Sequence, residues 1–315
     1  MQRKWWNVVV GLALVGWLPG VAAAQQPLPT VNLGLTSFLD GGPPAGPGLY
    51  FQEYIQYYWA DRFLDQHGDK TPLLDKVEAW ASVSQLIYQS DQPILFGGKW
   101  GLDVILPVVG LDVHQGPAPV LDATSGMGDM LIGPFIQWGP IMGKNGPVFM
   151  HRIELENLVP SGTYNDDKAL NPGSNFYSFN PYWAGTVFLL PGWTASYRLH
   201  YPWNAKNEDP NETFFPGAND TQAGQAAHLN FASEYELLEK RLRVGINGYY
   251  LKQFTNTEVD GNGIPDSREQ VVGVGPGMLW SFSPNDHVFL NIYFETEAEN
   301  RPEGTRTILR WTHHF

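Results

Sequence analysis

T-R-T-I-L-R-W-T-H-H-F, Thr305 to Phe315, puts Leu309, Trp311 and Phe315 on one face of an extended segment. Arg306, Arg310, Thr312 and His314 fall on the other. Side chains alternate across a strand with period two, so the segment reads as a strand with one apolar and one polar face. A strand between lipid and a wet lumen needs that division, because charges must be kept off the lipid face. His313 departs from it, standing where an apolar residue is expected. One strand does not make a fold, so the reading depends on repetition.

The pattern repeats. In residues 98–109, Trp100, Leu102, Val104, Leu106 and Val108 oppose Gly101 and Asp103. In 148–158, Phe149, Ile153 and Leu155 oppose Arg152, Glu154 and Glu156. In 193–203, Trp193, Ala195, Tyr197, Leu199, Tyr201 and Trp203 oppose Thr194, Ser196, Arg198 and His200. Aromatic residues sit at both ends of that apolar face, where two membrane interfaces would lie. In 226–238, Ala227, Leu229, Phe231, Tyr235 and Leu237 oppose His228, Asn230, Glu234 and Glu236. In 287–297, Val288, Leu290, Ile292 and Phe294 oppose Asn291, Tyr293 and Glu295. With 49–59, 77–88, 126–138, 178–190, 242–254, 271–282 and the terminal segment, about twelve strands of roughly ten residues are expected. In 271–282 the second face is small: Gly273, Gly275, Gly277 and Ser281.

The connections alternate as well. Residues 61–76, 110–125, 159–177, 204–221 and 255–270 are long, whereas 89–97, 139–146, 191–192, 239–240 and 283–286 are short. Transmembrane barrels have short periplasmic turns and longer outer loops; a soluble sandwich has no reason to alternate. The expected fold is therefore all-β, a transmembrane antiparallel up-and-down barrel of about twelve strands over residues 49–315.

Residues 1–24 read as a secretory signal peptide. Arg3 and Lys4 precede an apolar run, and Ala22, Ala23 and Ala24 supply a small-residue cleavage site. The run is shorter than the ~20 apolar residues of a spanning helix. Residues 25–48 are rich in proline and glycine and form either a tether, which composition favours, or a plug in the lumen. The chain has no cysteine, which excludes a disulfide scaffold and thiolate metal sites. Its net charge of −13 argues against nucleic acid as a partner.

Candidate lumen-lining residues are Arg152, Glu154, Arg198, His200, His228, Asn230, Glu234, Arg243, Asn247, Asn291, Glu295 and Arg310. Mixed charges in a narrow barrel either pair and close it or line a selective path. Trp193, Tyr197, Tyr201, Trp203 and Trp311 are expected to face lipid. Asp260, Asn262 and Asp266 have the alternate oxygen spacing of a calcium loop, but the loop lacks the distal bidentate Glu, and a turn loop is the simpler reading. No zinc-protease or serine-hydrolase signature occurs, and no cofactor is implied. His313 and His314 are adjacent on a strand, so their rings point to opposite faces and cannot share one ion.

The segment ending at Phe315 resembles the C-terminal recognition strand of bacterial outer-membrane barrels, which implies the barrel-assembly machinery as a partner. The stretches 32–54 (N-L-G-L-T-S-F-L-D-G-G-P-P-A-G-P-G-L-Y-F-Q-E-Y), 126–129 (G-M-G-D), 133–138 (G-P-F-I-Q-W), 159–164 (V-P-S-G-T-Y), 197–201 (Y-R-L-H-Y) and 244–253 (V-G-I-N-G-Y-Y-L-K-Q) carry a further likeness. The chain resembles the family named for a meta-pathway (MetA) of phenol degradation, whose members are outer-membrane transporters. The resemblance implies passage of small hydrophobic or aromatic solutes and brings no catalytic residues. Two other functions stay open: a plugged structural or adhesion-type barrel acting through its loops, and an outer-membrane lipid-modifying enzyme. The enzyme would need a Ser–His pair on the lipid face.

Overall fold

The computed structural model describes residues 27–29, 32–43, 45–72, 74–115 and 123–315. The expected leader, 1–24, lies outside them. Twelve long strands follow in chain order: β1 (Gly48–Leu64), β2 (Leu74–Pro93), β3 (Lys99–Gln115), β4 (Met130–Gly143), β5 (Gly146–Glu154), β6 (Tyr182–Leu190), β7 (Trp193–His200), β8 (Ala226–Leu238), β9 (Leu242–Gln253), β10 (Gln270–Ser281), β11 (Asp286–Glu299) and β12 (Arg301–His314). Each pairs antiparallel with the next. β12 returns to β1, from Tyr50 opposite His314 to Leu64 opposite Arg301. Closure leaves no open edge, the condition for strands to cross a bilayer with every backbone group paired.

The outer face is apolar. Trp80, Trp183, Tyr201, Trp203 and Tyr250 are exposed toward one rim, and Tyr88, Trp100, Trp193, Tyr235 and Trp311 toward the other. Between the two rings stand Leu102, Leu106, Ile153, Leu199, Ile246 and Leu309, all exposed. The inward positions are buried and mostly polar or aromatic, so the barrel has a polar interior in place of an oily core.

At one rim, the turn end, the connections are short, and residues 144–145 and 191–192 are two-residue turns. At the opposite rim, the loop end, residues 160–177 and 205–220 form long connections, and four short strands (Lys206–Asn207, Thr221–Gln222, Glu258–Val259, Asn262–Gly263) tie the β7–β8 and β9–β10 loops into a small sheet. Several strands run further than the sequence pattern indicates. The loop expected over 61–76 shrinks because Phe63 and Leu64 go on pairing, with Thr71 and Lys70 on one side and with Pro302 and Arg301 on the other. The final loop-end connection is Asn300 alone, at φ 55. Asparagine tolerates that left-handed conformation, and its side-chain amide is held by the carbonyls of Asp266 and Arg268.

Asp129, which follows Gly128 where the chain turns into β4, is a loop anchor. Its carboxylate accepts the Gly162 N–H at 3.0 Å, the Ser174 N–H at 2.7 Å and the Ser174 hydroxyl.

Candidate functional site

The lumen is the site, and part of the proline- and glycine-rich segment lies inside it. Asn230 of β8 bridges this inner segment three times: its amide nitrogen donates to Asn32 O and Thr36 Oγ1, and its Oδ1 accepts the Gly34 N–H. Tyr293 donates to Gly34 O at 2.8 Å, and Asn291 to Ser37 Oγ at 3.0 Å. Arg198 of β7 holds Asp40 by two parallel bonds of 2.8 Å each, the fork geometry that favours arginine. Gly41 donates to Thr186 Oγ1, and Gln137 donates to Gly41 O. Leu33 and Phe38 are buried among wall side chains.

The charges expected inward are buried and largely paired. Arg152 lies 3.8 Å from Glu154 and over the Phe135 ring. Glu154 also accepts the Tyr182 hydroxyl, and Glu234 that of Thr194. Arg243, half-buried, pairs with Glu236. Glu295 is a hub, accepting Tyr58 and Tyr249 hydroxyls at 2.7 Å each and lying 3.8 Å from Arg306. Asn247 and Asn291 are fully buried. Arg310 differs: no carboxylate pairs with it among the described residues, and its guanidinium lies 3.5 Å from the Phe289 ring centroid.

Among the described residues, two cavities flank the inner segment. The larger, about 290 Å³, opens toward the turn end and is lined by Tyr54, Gln85, Arg152, Arg198, Phe289 and Arg310 among others. The smaller, about 40 Å³, lies toward the loop end against Pro107, Leu131, Leu158 and Pro172. Asn32, Leu35, Val83 and Ile105 line both. The two cavities therefore adjoin beside the inner segment at four residues, three of them apolar.

His200 and His228 are stacked at 3.9 Å with ring planes 15° apart, both buried and without hydrogen-bond partners on their ring nitrogens. The Glu156 carboxylate lies 3.9 Å from His200 Nδ1. His314 stacks on Tyr50, whereas His313 meets Asp286 at 2.8 Å. A Ser–His contact does occur, Ser281 Oγ to His287 Nδ1 at 2.8 Å, but it borders the larger cavity and does not face lipid. His287 Nε2 sits 3.2 Å from Pro284 O, which can only accept, so Nε2 carries the proton and Nδ1 accepts from Ser281.

The calcium-like residues are spent on loop structure. Asp260 Oδ1 accepts the N–H groups of Asn219 and Asp220, and these bonds hold its carboxyl below the usual range. Asn262 donates to Asp260 O, and Asp266 O accepts from Asn300. Among the described residues, no group of three or more His, Cys, Asp or Glu could hold a metal ion. Of the residues expected to face lipid, Trp193, Tyr201, Trp203 and Trp311 are exposed and Tyr197 is half-buried. Phe315 is exposed, and its N–H donates to Leu49 O.

Sequence reading had not singled out Asp40, Leu35, Tyr54 or Phe289. Phe289 and Tyr54 were hidden because an inward aromatic looks like core filling.

Residues 60–311 match the family described as "Putative MetA-pathway of phenol degradation". The chain belongs to that family. No curated protein matches it. Among solved structures it is similar to the COG4313 outer membrane channel from Pseudomonas putida F1, at 17% identity over 89% of this chain and 99% of that one, with a TM-score of 0.76. The likeness establishes a shared barrel fold. The monoaromatic hydrocarbon channel TodX (a deltaS2 mutant; 11% identity, 86% of this chain, 91% of that one) and the KdgM porin (11%, 84% and 99%) reach TM-scores of 0.47 and 0.40, too low to add to the assignment. This family member thus has the closed twelve-stranded fold of an outer membrane channel.

Proposed function

We propose that this barrel sits in a bacterial outer membrane, turn end toward the periplasm, and passes small hydrophobic or aromatic solutes inward by diffusion. The observation that carries the reading is the pair of cavities meeting at Leu35, Val83 and Ile105. An apolar constriction between wetter chambers favours solutes with an apolar body and resists small hydrated ions. Family membership and the channel likeness support it. The leader read in residues 1–24 would export the chain and be cleaved, and the last strand would engage the assembly machinery. On this reading the protein acts as a conduit, and the Ser281–His287 pair, which borders the larger cavity with His287 Nε2 against Pro284 O, is part of its wall.

The test is uptake of a panel of aromatic and aliphatic compounds into liposomes carrying the refolded protein, against protein-free liposomes. Leu35→Ala should speed entry of the favoured class, and Leu35→Trp should slow it. A second reading, a plugged barrel acting through its loops, draws on the many anchors of the inner segment. It expects no entry above control from folded protein, with or without Leu35.

A further inference from the structure

We propose that the larger chamber is a binding site for small aromatic carboxylates, with Arg310 as the partner of the carboxylate group. The inference rests on the channel reading and names the solute class that the chamber selects.

Charge is the first ground. Six basic side chains line the chamber against the carboxylates of Asp40 and Glu236, in a chain whose net charge is −13. Asp40 is taken by Arg198 and Glu236 by Arg243, while Glu154 lies beside Arg152. That leaves Arg310 without a carboxylate inside the lumen, and Lys240 and Arg241 at the chamber mouth. A cluster of one sign at a narrow mouth concentrates counter-ions. A solute drawn there is an anion.

The second ground is Arg310 itself. It is only 6% exposed, and its Nε has no hydrogen-bond partner. Buried guanidinium groups are ordinarily paired, because an unpaired buried charge is costly. Tyr54 also engages this guanidinium, and the planar fork, with no carboxylate on it among the described residues, is of the shape that matches a carboxylate with two parallel bonds.

The third ground is the wall around it. The guanidinium stands 3.5 Å from the Phe289 centroid and 5.7 Å from that of Tyr54. Phe38 and Tyr50 line the same chamber. Offset and edge-on aromatic contacts favour a flat ring over an alkyl chain. The volume of about 290 Å³ lies at the small end of ligand pockets, about 300–1,000 Å³, and suits a single ring.

Sodium benzoate, benzyl alcohol and sodium acetate are titrated calorimetrically into the refolded full chain in detergent. Benzoate should bind saturably and at least about tenfold more tightly than either control, the scale of one charge-assisted contact. Arg310→Gln should bring benzoate down to the level of benzyl alcohol, and Arg310→Lys should keep part of the preference, since it keeps the charge and loses the fork. Folding of each variant is checked by heat-modifiable mobility; if Arg310→Gln does not fold, the ligand ranking and Arg310→Lys carry the test. Equal binding of benzoate and benzyl alcohol, benzoate binding unchanged in Arg310→Gln, or no benzoate binding to folded protein each overturns the proposal. If benzyl alcohol still enters liposomes in that event, the channel reading stands alone. Benzoate binding without entry of any aromatic compound would keep the site and overturn the channel.

Discussion

Removing the Asp40 carboxylate tests whether the inner segment is held in the lumen by its ion pair with Arg198. Both side chains are nearly buried, 8% and 7% exposed, and joined at 2.8 Å. Breaking a buried pair by deleting one partner costs about 3–5 kcal/mol. At about 1.4 kcal/mol per decade, the ratio of seated to unseated segment falls by a factor of roughly 100 to 4,000. The remaining anchors limit the effect: Asn230 makes three hydrogen bonds to the segment, and Tyr293, Thr186 and Gln137 one each, while the Asn291 bond to Ser37 is altered in both labelled proteins alike. Each is worth about 1 kcal/mol net, so the segment should open more often without leaving permanently. The chain has no cysteine, so Ser37→Cys gives a single label at a buried position. Maleimide labelling of Ser37→Cys should accelerate on the order of 100-fold when Asp40→Ala is added, with the barrel's heat-modifiable mobility retained. An acceleration below about threefold would refute the reasoning, because the pair would then be worth less than ~0.7 kcal/mol.

Other parts of the molecule give sharper local expectations. Asp129→Ala leaves the N–H groups of Gly162 and Ser174 without their acceptor; at about 1–3 kcal/mol for such a loss, limited proteolysis should cut residues 160–175 faster while the strands stay intact. Ile246, 60% exposed on the outer face, should tolerate Arg poorly: Ile246→Arg is expected to lower stability in lipid by about 2–4 kcal/mol, measured by urea unfolding. The carboxyl of Asp260 is held low by two N–H donors. Its anchoring is therefore complete above the ordinary aspartate value of about 3.9 and is lost as pH falls through the depressed folded value. Amide shifts of Asn219 and Asp220 should stay flat down to about pH 4 and move only below it; movement near neutral pH would contradict that. Deleting Phe315 removes a backbone bond to Leu49 and the apolar end of the closing strand, and membrane-inserted protein should drop sharply; undiminished insertion would remove the role assigned to that residue.

The barrel was legible because its cause is periodic. Lipid on one side and a polar lumen on the other force alternation on each strand, and residues 193–203 and 226–238 state it without ambiguity. Strand ends were less legible, since Phe63 and Leu64 pair beyond the membrane pattern, where nothing forces alternation. Which residues point inward was readable from the same period; which inward charges meet was not. Arg198 pairs with Asp40, 158 residues away in sequence, and Tyr58 with Glu295, 237 away. Such partners follow from barrel closure and from where the inner segment lies, and neither is a local property of the chain.

One trace of the inner segment was present in the sequence of the wall. β10 offers Gly273, Gly275 and Gly277 on its inward face, where neighbouring strands carry large polar groups. A Cβ added at Gly277 would lie 2.8 Å from the Phe38 ring and 2.1 Å from Asn247 Oδ1; one at Gly273 would lie 2.4 Å from the Tyr249 ring. On the opposite side, a Cβ at Gly41 would come within 2.3 Å of the Thr186 backbone nitrogen. Gly277 and Gly41 thus lack a side chain where wall and segment approach, whereas Gly273 makes room for the wall's own Tyr249. Glycine inside a strand weakens it and is retained where another chain must come close. Here the occupant is Phe38, whose neighbour two residues on, Asp40, meets Arg198 on the far wall. The segment is thus held between Gly277 of β10, which leaves room for Phe38, and Arg198 of β7, which holds Asp40, and both cavities border Val83 and Ile105 on β2 and β3.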